Sequence, residues 1–336
     1  MKALLSLAVG GPESLVLSDI PIPALRPGAV RVIVEACSIN YPDALIIEDR
    51  YQVKPPRPFA PGGEIAGVID AVGEGVDDWV PGDRVIAVTA HGGLCEQIIV
   101  DAGRLHRLPE DCSFIDGSAL LLTYATTLHA LADRGRLAAG DSVLVLGAAG
   151  GVGLSAIEIG KLLGARVIAA VSSEDKAAVA RDAGADRVAI YPRGPFDAAG
   201  LRALADLFKS AVGPDGANII VDPVGGDYAE PALRSIAWGG RYLVLGFPAG
   251  LPKIPLNLPL LKSCDICGVF YGAHALRDPE ANKAAISRLL GWLEDGSIRP
   301  RISCLYSLDQ APEAIARLAA REAVGKLVVT ITTQAA

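Results

Sequence analysis

The sequence predicts an α/β protein whose central part is a doubly wound parallel sheet preceded by an all-β module. From about residue 120 to 267, apolar runs without alternation are separated by helical patterns, which is typical of strands buried on both faces of a parallel sheet. Residues 1–120 instead hold short strands bounded by glycine and proline. The last strand-like run, 325–331, needs a partner, and we expect it to return to the first module.

The first module consists of short strands with turn signals between them. We predict strands at 30–35, 67–72, 84–88 and 96–100, separated by turns such as Pro81-Gly82-Asp83 and Gly92-Gly93. This pattern is typical of a barrel-like β module.

The central segment alternates strands and helices with short connections. We predict helix 118–132, strand 142–146, helix 152–163, strand 166–171, helix 176–183, strand 187–190, helix 201–212, strand 218–222, helix 230–235 and strand 240–245. Successive βα units of this kind predict a parallel sheet. Two further helices, 282–294 and 310–317, precede the terminal strand.

Composition narrows the class of protein. The chain has 336 residues, 51% of them hydrophobic, which is enough for two domain cores. Its net charge of −7 disfavours nucleic acid or an anionic membrane as the main partner, and we expect a cytoplasmic protein. The six cysteines are predicted to be free thiols, because the Cys264-x-x-Cys267 pair lacks the second pair that a zinc ribbon needs.

A glycine turn follows the predicted strand 142–146 and opens a helix. Gly150 and Gly151 allow backbone to approach a pyrophosphate, and Gly153 allows the helix to pack against the strand, while Ala148 takes the place of the first glycine in the G-x-G-x-x-G pattern. The amides from Ala149 to Val152 lie at the helix N-terminus, which attracts phosphate. The strand, turn and helix together predict a dinucleotide site.

The end of the next strand predicts which dinucleotide is bound. NAD-selective sites carry an acid about 20 residues beyond the glycines, whereas this strand ends at Val171 and continues into Ser172 and Ser173. These hydroxyls, with Lys176 and Tyr191, favour NADPH through contacts to its additional phosphate and its adenine. In the alternative, the serines only cap the following helix, and the nearby Glu174 and Asp175 leave NAD open.

Several markers together resemble the medium-chain dehydrogenase/reductase superfamily. The resemblance covers essentially the whole chain and is carried by residues 61–67, 72–73, 81–85, 137–140, 148–153, 183–185 and 325–326. It implies a GroES-like β-barrel-type catalytic domain into which a Rossmann sheet is inserted. The implied domains are residues 1–121, the cofactor-binding domain 122–268, and a return to the catalytic domain at 269–336.

Zinc ligands of this superfamily are missing from the chain. Asn40 and Gly63 stand where zinc enzymes carry Cys and His, and the four-cysteine structural lobe is absent from the sequence. The four histidines are expected to be isolated surface or packing residues. The resemblance therefore narrows to the zinc-independent NADPH:quinone oxidoreductase branch, similar to zeta-crystallin, with the segments 37–43, 123–127 and 244–247 as the closest matches.

This branch implies a set of site residues. Catalytic or positioning roles fall on Asn40, Tyr51 and Thr127, although Tyr51 also fits an exposed loop aromatic. Further cofactor contacts are implied at Gly246, Phe247, Val269, Phe270, Tyr271 and Lys326. The implied reaction is hydride transfer from NADPH to a quinone; reduction of the C=C bond of an enone or enoyl thioester, and a non-enzymatic NADPH-binding role, remain alternatives. The apolar segment 264–271 is predicted to be a sheet edge that pairs two subunits in a homodimer.

Overall fold

The computed structural model describes residues 1–331 and divides the chain into two compact units. Unit 1 is formed by Met1–Leu122 and the described residues from Arg288 onward, and unit 2 is formed by Thr123–Ser287. The first predicted boundary, after residue 121, lies beside this division. None of the helices among residues 1–331 is long and apolar enough to cross a membrane.

Unit 1 is mainly β-structure. Its elements are β1 (Lys2–Ser6), β2 (Leu15–Asp19), β3 (Ala29–Ile39), α1 (Tyr41–Ile47), β4 (Glu64–Val72), β5 (Arg84–Val88), β6 (Gln97–Asp101), β7 (Leu105–Arg107), α2 (Phe114–Ser118), and, near the C-terminus, β14 (Ile302–Ser307), α11 (Ala311–Ala319) and β15 (Lys326–Thr330). The main sheet has the order β14-β15-β3-β4-β5-β7, and β6 also pairs with β3. The terminal strand pairs antiparallel with β3, so it returns to the first module as predicted.

The long strand β3 forms the centre of unit 1. Its alternate residues Val30, Val32 and Val34 are fully buried in one apolar cluster. This alternation follows from the period of two along a strand, which sends every second side chain to the same face. β3 then leads directly into α1, so Asn40 lies at the junction between strand and helix.

Unit 2 is an α/β sheet with helices between the strands. Its elements are α3 (Thr126–Leu128), β8 (Ser142–Leu146), α4 (Gly151–Leu162), β9 (Arg166–Val171), α5 (Glu174–Asp182), β10 (Arg187–Ile190), α6 (Ala198–Val212), β11 (Ala217–Asp222), α7 (Ala229–Leu233), β12 (Ile236–Val244), α8 (Asn257–Lys262), β13 (Asp265–Gly268) and α9 (Tyr271–Arg277), followed by α10 (Pro279–Glu294), which crosses the unit boundary. The fold class predicted from the sequence is confirmed.

All the strand pairs of this sheet are parallel, in the order β10-β9-β8-β11-β12-β13. The order reverses between β8 and β11, where the connections from β8 and β11 leave in opposite directions and open a crevice at the carboxyl ends of the strands. In β8, Val143, Leu144 and Val145 are fully buried, as expected for a strand covered on both faces.

The predicted helix 118–132 is not one continuous α-helix. α2 ends at Ser118, and π-helical turns at Leu121–Ala125 and His129–Arg134 flank α3. The backbone amide of Leu122 donates to Glu64 Oε1 at 2.8 Å instead of to a carbonyl of the helix. The buried Glu64 carboxylate thus accepts a backbone amide that a continuous α-helix would use in its own hydrogen bonds, and the helix is interrupted there.

The chain returns to unit 1 later than predicted: the prediction placed the return at residue 269, whereas unit 2 extends to Ser287. α9 and the first part of α10 belong to unit 2. Two contacts explain this: the His274 ring in α9 stacks on His129 at 4.0 Å between centroids, and the Tyr271 hydroxyl donates to Asn282 Oδ1 at 2.7 Å.

Candidate cofactor site and a buried charge cluster

The glycine turn between β8 and α4 is shaped by residues that tolerate unusual or crowded backbone. Gly147 has φ of +58°, a left-handed conformation that favours glycine, and it ends the strand with a sharp turn. Gly150 precedes the helix in an extended conformation, so the first amides of α4, at Gly151, Val152 and Gly153, point out of the helix N-terminus.

Gly153 provides the close contact between helix and turn. A Cβ atom there would lie 2.4 Å from the Gly147 carbonyl oxygen and 2.6 Å from Ala148 Cα, both backbone atoms that cannot swing away. A Cβ atom at Gly150 would lie 3.5 Å from the Gly147 oxygen, an ordinary contact. Gly153 is therefore required for packing, whereas Gly150 keeps the surface of the turn open.

A cleft opens at the carboxyl ends of β8 and β9. It is lined by Gly147, Ala149, Gly150, Val171, Ser172, Lys176 and Tyr191. The structure thus brings together five residues that the sequence assigned to the cofactor: Ala149, Gly150, Ser172, Lys176 and Tyr191. Gly147 was not predicted as a site residue, and its position directly after the buried strand was the available signal.

The charges of the cleft suit an anion. Its lining contains Lys176 and the Ser172 hydroxyl, and none of its lining residues is acidic. Ser173 is the N-cap of α5, because its Oγ accepts a hydrogen bond from the Lys176 backbone amide at 3.4 Å. The capping alternative therefore holds for Ser173, while Ser172 remains at the cleft.

Tyr191 forms a rigid wall of the cleft. It is 6% exposed, and its ring lies 5.1 Å from the Tyr228 ring and 6.1 Å from the Phe208 ring, measured between centroids. Aromatic rings packed in this way hold one orientation, so the face of Tyr191 that lines the cleft is fixed.

The remaining cofactor predictions fall at the ends of β12 and β13. Gly246 and Phe247 follow β12, and Val269, Phe270 and Tyr271 follow β13. All five lie at the carboxyl ends of the strands, as the glycine turn does. Phe247 and Phe270 are 42% and 61% exposed, so both rings are accessible to a ligand.

Thr127 is fully buried in unit 2. Its Oγ1 lies 2.7 Å from Ser155 Oγ, and Ser155 donates to the Val152 carbonyl at 2.9 Å in the first turn of α4. Thr127 therefore braces the helix that begins at the glycine turn.

A buried charge cluster in unit 1 contains Asn40, Glu64, Lys326 and Ser38. Glu64 Oε2 accepts from Ser38 Oγ at 2.6 Å, from Asn40 Nδ2 at 2.9 Å and from Lys326 Nζ at 3.1 Å. Lys326 Nζ also donates to Asn40 Oδ1 at 2.6 Å. Since the side chains of Lys326 and Glu64 are 4% and 0% exposed, this is an ion pair shielded from water.

The structure places Lys326, which was predicted to contact the cofactor, in this cluster. Its ammonium is engaged with Asn40 and Glu64 inside unit 1. The Asn40 amide is also used at both ends, which assigns it to holding the cluster together. Local patterns do not reveal this contact, because Lys326 lies 286 residues from Asn40 and 262 residues from Glu64 in the chain.

Asp43 and Tyr51 lie close to this cluster. Asp43 accepts from the backbone amides of Asn40 at 2.7 Å and Gly62 at 3.0 Å, and burial raises its pKa to about 6. Tyr51 is half-buried and packs against the core of unit 1, so it is not the exposed loop aromatic that the sequence left open. Burial first, and the charge of Asp43 second, raise the pKa of Tyr51.

The residues at the superfamily's catalytic-zinc position do not fit a zinc ion. Both polar ends of the Asn40 amide already hold hydrogen bonds, and Gly63 offers no side chain. The Lys326 ammonium, 2.6 Å from Asn40 Oδ1, would repel a second cation.

One prediction about the histidines is wrong. His129 and His274 are not isolated, because their rings stack at 4.0 Å with an angle of 11° between planes. Their distance in sequence hid this contact. His91, by contrast, makes only an edge contact to Phe59 among the ring pairs found in residues 1–331.

Comparisons with known proteins agree with this architecture. Residues 151–290 match the family described as zinc-binding dehydrogenase, and residues 26–110 match the alcohol dehydrogenase GroES-like domain. Quinone oxidoreductase-like protein 2 of Rattus norvegicus is 35% identical over 95% of this chain and 89% of its own length.

Two solved structures are similar over nearly the whole chain. A mycobacterial protein in complex with NADPH is 28% identical, with a TM-score of 0.89 over 98% of this chain and 100% of its own. Escherichia coli quinone oxidoreductase in complex with NADPH is 26% identical, with a TM-score of 0.89 over the same shares of the two chains.

Proposed function

Because the chain belongs to the medium-chain dehydrogenase/reductase superfamily as a quinone oxidoreductase-like protein, we propose that it is an NADPH-dependent oxidoreductase that transfers hydride to a quinone. The observation that carries this proposal is the cleft of unit 2, which combines a glycine turn, a hydroxyl and a cation without an acid in its lining. Similar chains bind NADPH in their crystals, which supports the same cofactor here.

The residues of unit 2 divide the binding of the cofactor. The amides of the turn and of the first turn of α4 receive the pyrophosphate, as helix N-termini do. Ser172 and Lys176 receive the 2′-phosphate, and Tyr191 lies against the adenine end. The nicotinamide end faces the residues that follow β12 and β13 at the carboxyl end of the same sheet, namely Gly246, Phe247, Val269, Phe270 and Tyr271.

The chemistry needs little from the protein beyond alignment. Bound NADPH supplies the hydride, and a quinone is already electrophilic, so catalysis consists of orientation and stabilisation of the developing oxyanion. Among the three predicted catalytic residues, Asn40 and Thr127 position other groups through their buried hydrogen bonds. A tyrosine hydroxyl is protonated at neutral pH and can donate a hydrogen bond, so we propose that Tyr51 donates one to the oxyanion.

Turnover against a substrate panel tests the proposed reaction. Purified enzyme with NADPH is offered quinones, conjugated enones and enoyl thioesters of matched concentration, and consumption of NADPH is followed. We expect the highest kcat/KM with a quinone. Preference for an enone or an enoyl thioester would replace the proposed substrate class, and no turnover with any of them would favour a non-enzymatic role.

Lys176→Ala tests the phosphate contact. Loss of a charge-assisted contact costs about 1.5–3 kcal/mol, so the KM for NADPH should rise roughly tenfold or more while that for NADH stays nearly unchanged. The control is Lys209→Ala, which removes a lysine of α6 that does not line the cleft. Equal effects of Lys176→Ala on both cofactors would remove Lys176 from the 2′-phosphate site.

We further propose that catalysis is independent of zinc. The proposal is supported by the Asn40 and Lys326 hydrogen bonds at the place of the zinc ligands. Dialysis against EDTA should leave kcat and KM for the quinone and NADPH unchanged. Loss of turnover that returns on addition of Zn²⁺ would contradict it.

We also propose a homodimer formed along β13. This strand is the edge of its sheet, and its Ile266 is 40% exposed. An apolar edge strand is an aggregation hazard unless it is covered.

Light scattering should give about twice the 34.7 kDa mass of the chain. Val269→Lys should give monomers or insoluble protein, unlike the matched change Val80→Lys at an exposed loop valine; a monomeric wild type at micromolar concentration would refute the dimer.

A further inference from the structure

Two histidines and an aspartate meet in unit 2 outside the cofactor cleft. His129, Asp133 and His274 each offer one ligand atom, and these atoms all lie within 4.8 Å of one another. His129 Nδ1 lies 2.7 Å from Asp133 Oδ2, and the two imidazole rings stack at 4.0 Å. Within residues 1–331 this is the single group of three or more such side chains close enough to share an ion.

The backbone explains why these side chains converge. His129 and Asp133 are four residues apart in a π-helical turn, where the Gly135 amide donates to the Ala130 carbonyl at 2.7 Å, so they project from the same side of the helix. His274 is presented by α9, which follows the edge strand β13. Two separate helical segments thus supply the three side chains.

We propose that His129, Asp133 and His274 form a binding site for a divalent transition-metal ion such as Zn²⁺ or Co²⁺. Two imidazole nitrogens and one carboxylate oxygen are the donor set that such ions prefer over Mg²⁺ or Ca²⁺. The ion lies between His129 Nδ1 and Asp133 Oδ2, and the imidazole tautomer that binds it carries its proton on Nε2 and leaves the Nδ1 lone pair for the ion. A solvent molecule completes four-coordination.

Binding of an ion requires the ligand atoms to move closer together and one ring to rotate. Metal to ligand distances of about 2.0–2.2 Å place tetrahedral donor atoms about 3.3 Å apart, against the present limit of 4.8 Å. The Asp133 side chain is 58% exposed and the His129 side chain 10% exposed. Because an imidazole lone pair lies in the plane of its ring, the half-buried His274 ring must rotate out of its stack on His129 for both rings to bind one ion. The neighbouring cation, Arg134, is engaged elsewhere, because its Nε donates to the Gly268 carbonyl at 3.1 Å.

The three side chains form a group separate from the sites described above. None of the three residues lines the cofactor cleft or belongs to the cluster around Glu64. The ion would join the turn at His129–Arg134 to α9, and its role would be stabilisation of this part of unit 2, separate from catalysis.

Binding of the metal alone tests the proposal. Tag-free protein is dialysed against EDTA and then buffer, and Zn²⁺ is titrated by calorimetry while Co²⁺ is followed by its visible absorption. We expect one ion per chain, a higher melting temperature, and unchanged turnover. His274→Ala and Asp133→Asn should each weaken binding by at least about tenfold, whereas the control His106→Ala should bind like the wild type.

Asp133→Asn keeps the test decisive if His274→Ala folds poorly, since residue 133 is exposed. No binding in the wild type, or equal binding by the wild type and Asp133→Asn, would overturn the proposal. Neither result would affect the cofactor assignment, because that rests on the cleft at β8 and β9.

Discussion

Lys326→Met is expected to lower the free energy of unfolding by about 3–5 kcal/mol, the typical cost of removing one partner from a buried ion pair. Glu64 is fully buried and loses the ammonium at 3.1 Å, while its other donors, Ser38, Asn40 and the Leu122 backbone amide, are uncharged. Denaturant unfolding followed by circular dichroism measures the change. The effect should appear as a lower midpoint with little change in slope.

Two controls separate the charge from the loss of packing. Lys326→Met combined with Glu64→Gln removes the unpaired carboxylate and should recover part of the stability, which a double-mutant cycle quantifies. Arg234→Ala breaks a pair with Glu230 whose side chains are 43% and 31% exposed, and should cost less than about 1 kcal/mol. A cost of that small size for Lys326→Met would contradict the role assigned to the cluster.

Gly153→Ala is expected to disrupt both the stability of unit 2 and its affinity for NADPH. The added Cβ would lie 2.4 Å from the Gly147 oxygen and 2.6 Å from Ala148 Cα, so α4 must move away from the turn. Overpacking of this kind costs about 1–3 kcal/mol or more. Thermal unfolding measures the first effect, and fluorescence titration with NADPH measures the second.

Gly150→Ala is the matched control for this prediction. Its Cβ would lie 3.5 Å from the Gly147 oxygen, and its φ of −83° suits alanine, so the melting temperature should be preserved. A methyl group at the entrance of the cleft should still weaken the binding of NADPH, because it obstructs the approach of the pyrophosphate. If Gly150→Ala destabilised the protein as much as Gly153→Ala, the division of roles between the two glycines would be wrong.

Local patterns in the sequence predict much of the fold. Strands 142–146, 166–171 and 187–190 were predicted with the bounds that the structure gives to β8, β9 and β10. β8 and β9 are recognisable because a strand buried on both faces is a short apolar run with turn residues at its ends, and the partly exposed edge strand β10 is a similarly short apolar run. The glycine turn and the lining residues Ser172, Lys176 and Tyr191 were found for the same reason, since they follow directly after such strands.

Features that depend on distant residues could not be predicted in this way. The break in the predicted helix 118–132 is caused by Glu64, which takes the Leu122 amide. Lys326 joins Asn40 only because β15 pairs with β3. His129 and His274 meet through the packing of α9, which a pattern of neighbouring residues does not encode.

Selection of NADPH by the unit 2 cleft is measured by kcat/KM for NADPH and for NADH in the reduction of one quinone. An additional charge-assisted phosphate contact of about 1.5–3 kcal/mol predicts that the wild type prefers NADPH by at least about tenfold. Lys176→Ala should reduce this preference, and Lys209→Ala should retain it. Equal efficiency with both cofactors, or a preference of the wild type for NADH, would mean that the cleft does not select NADPH.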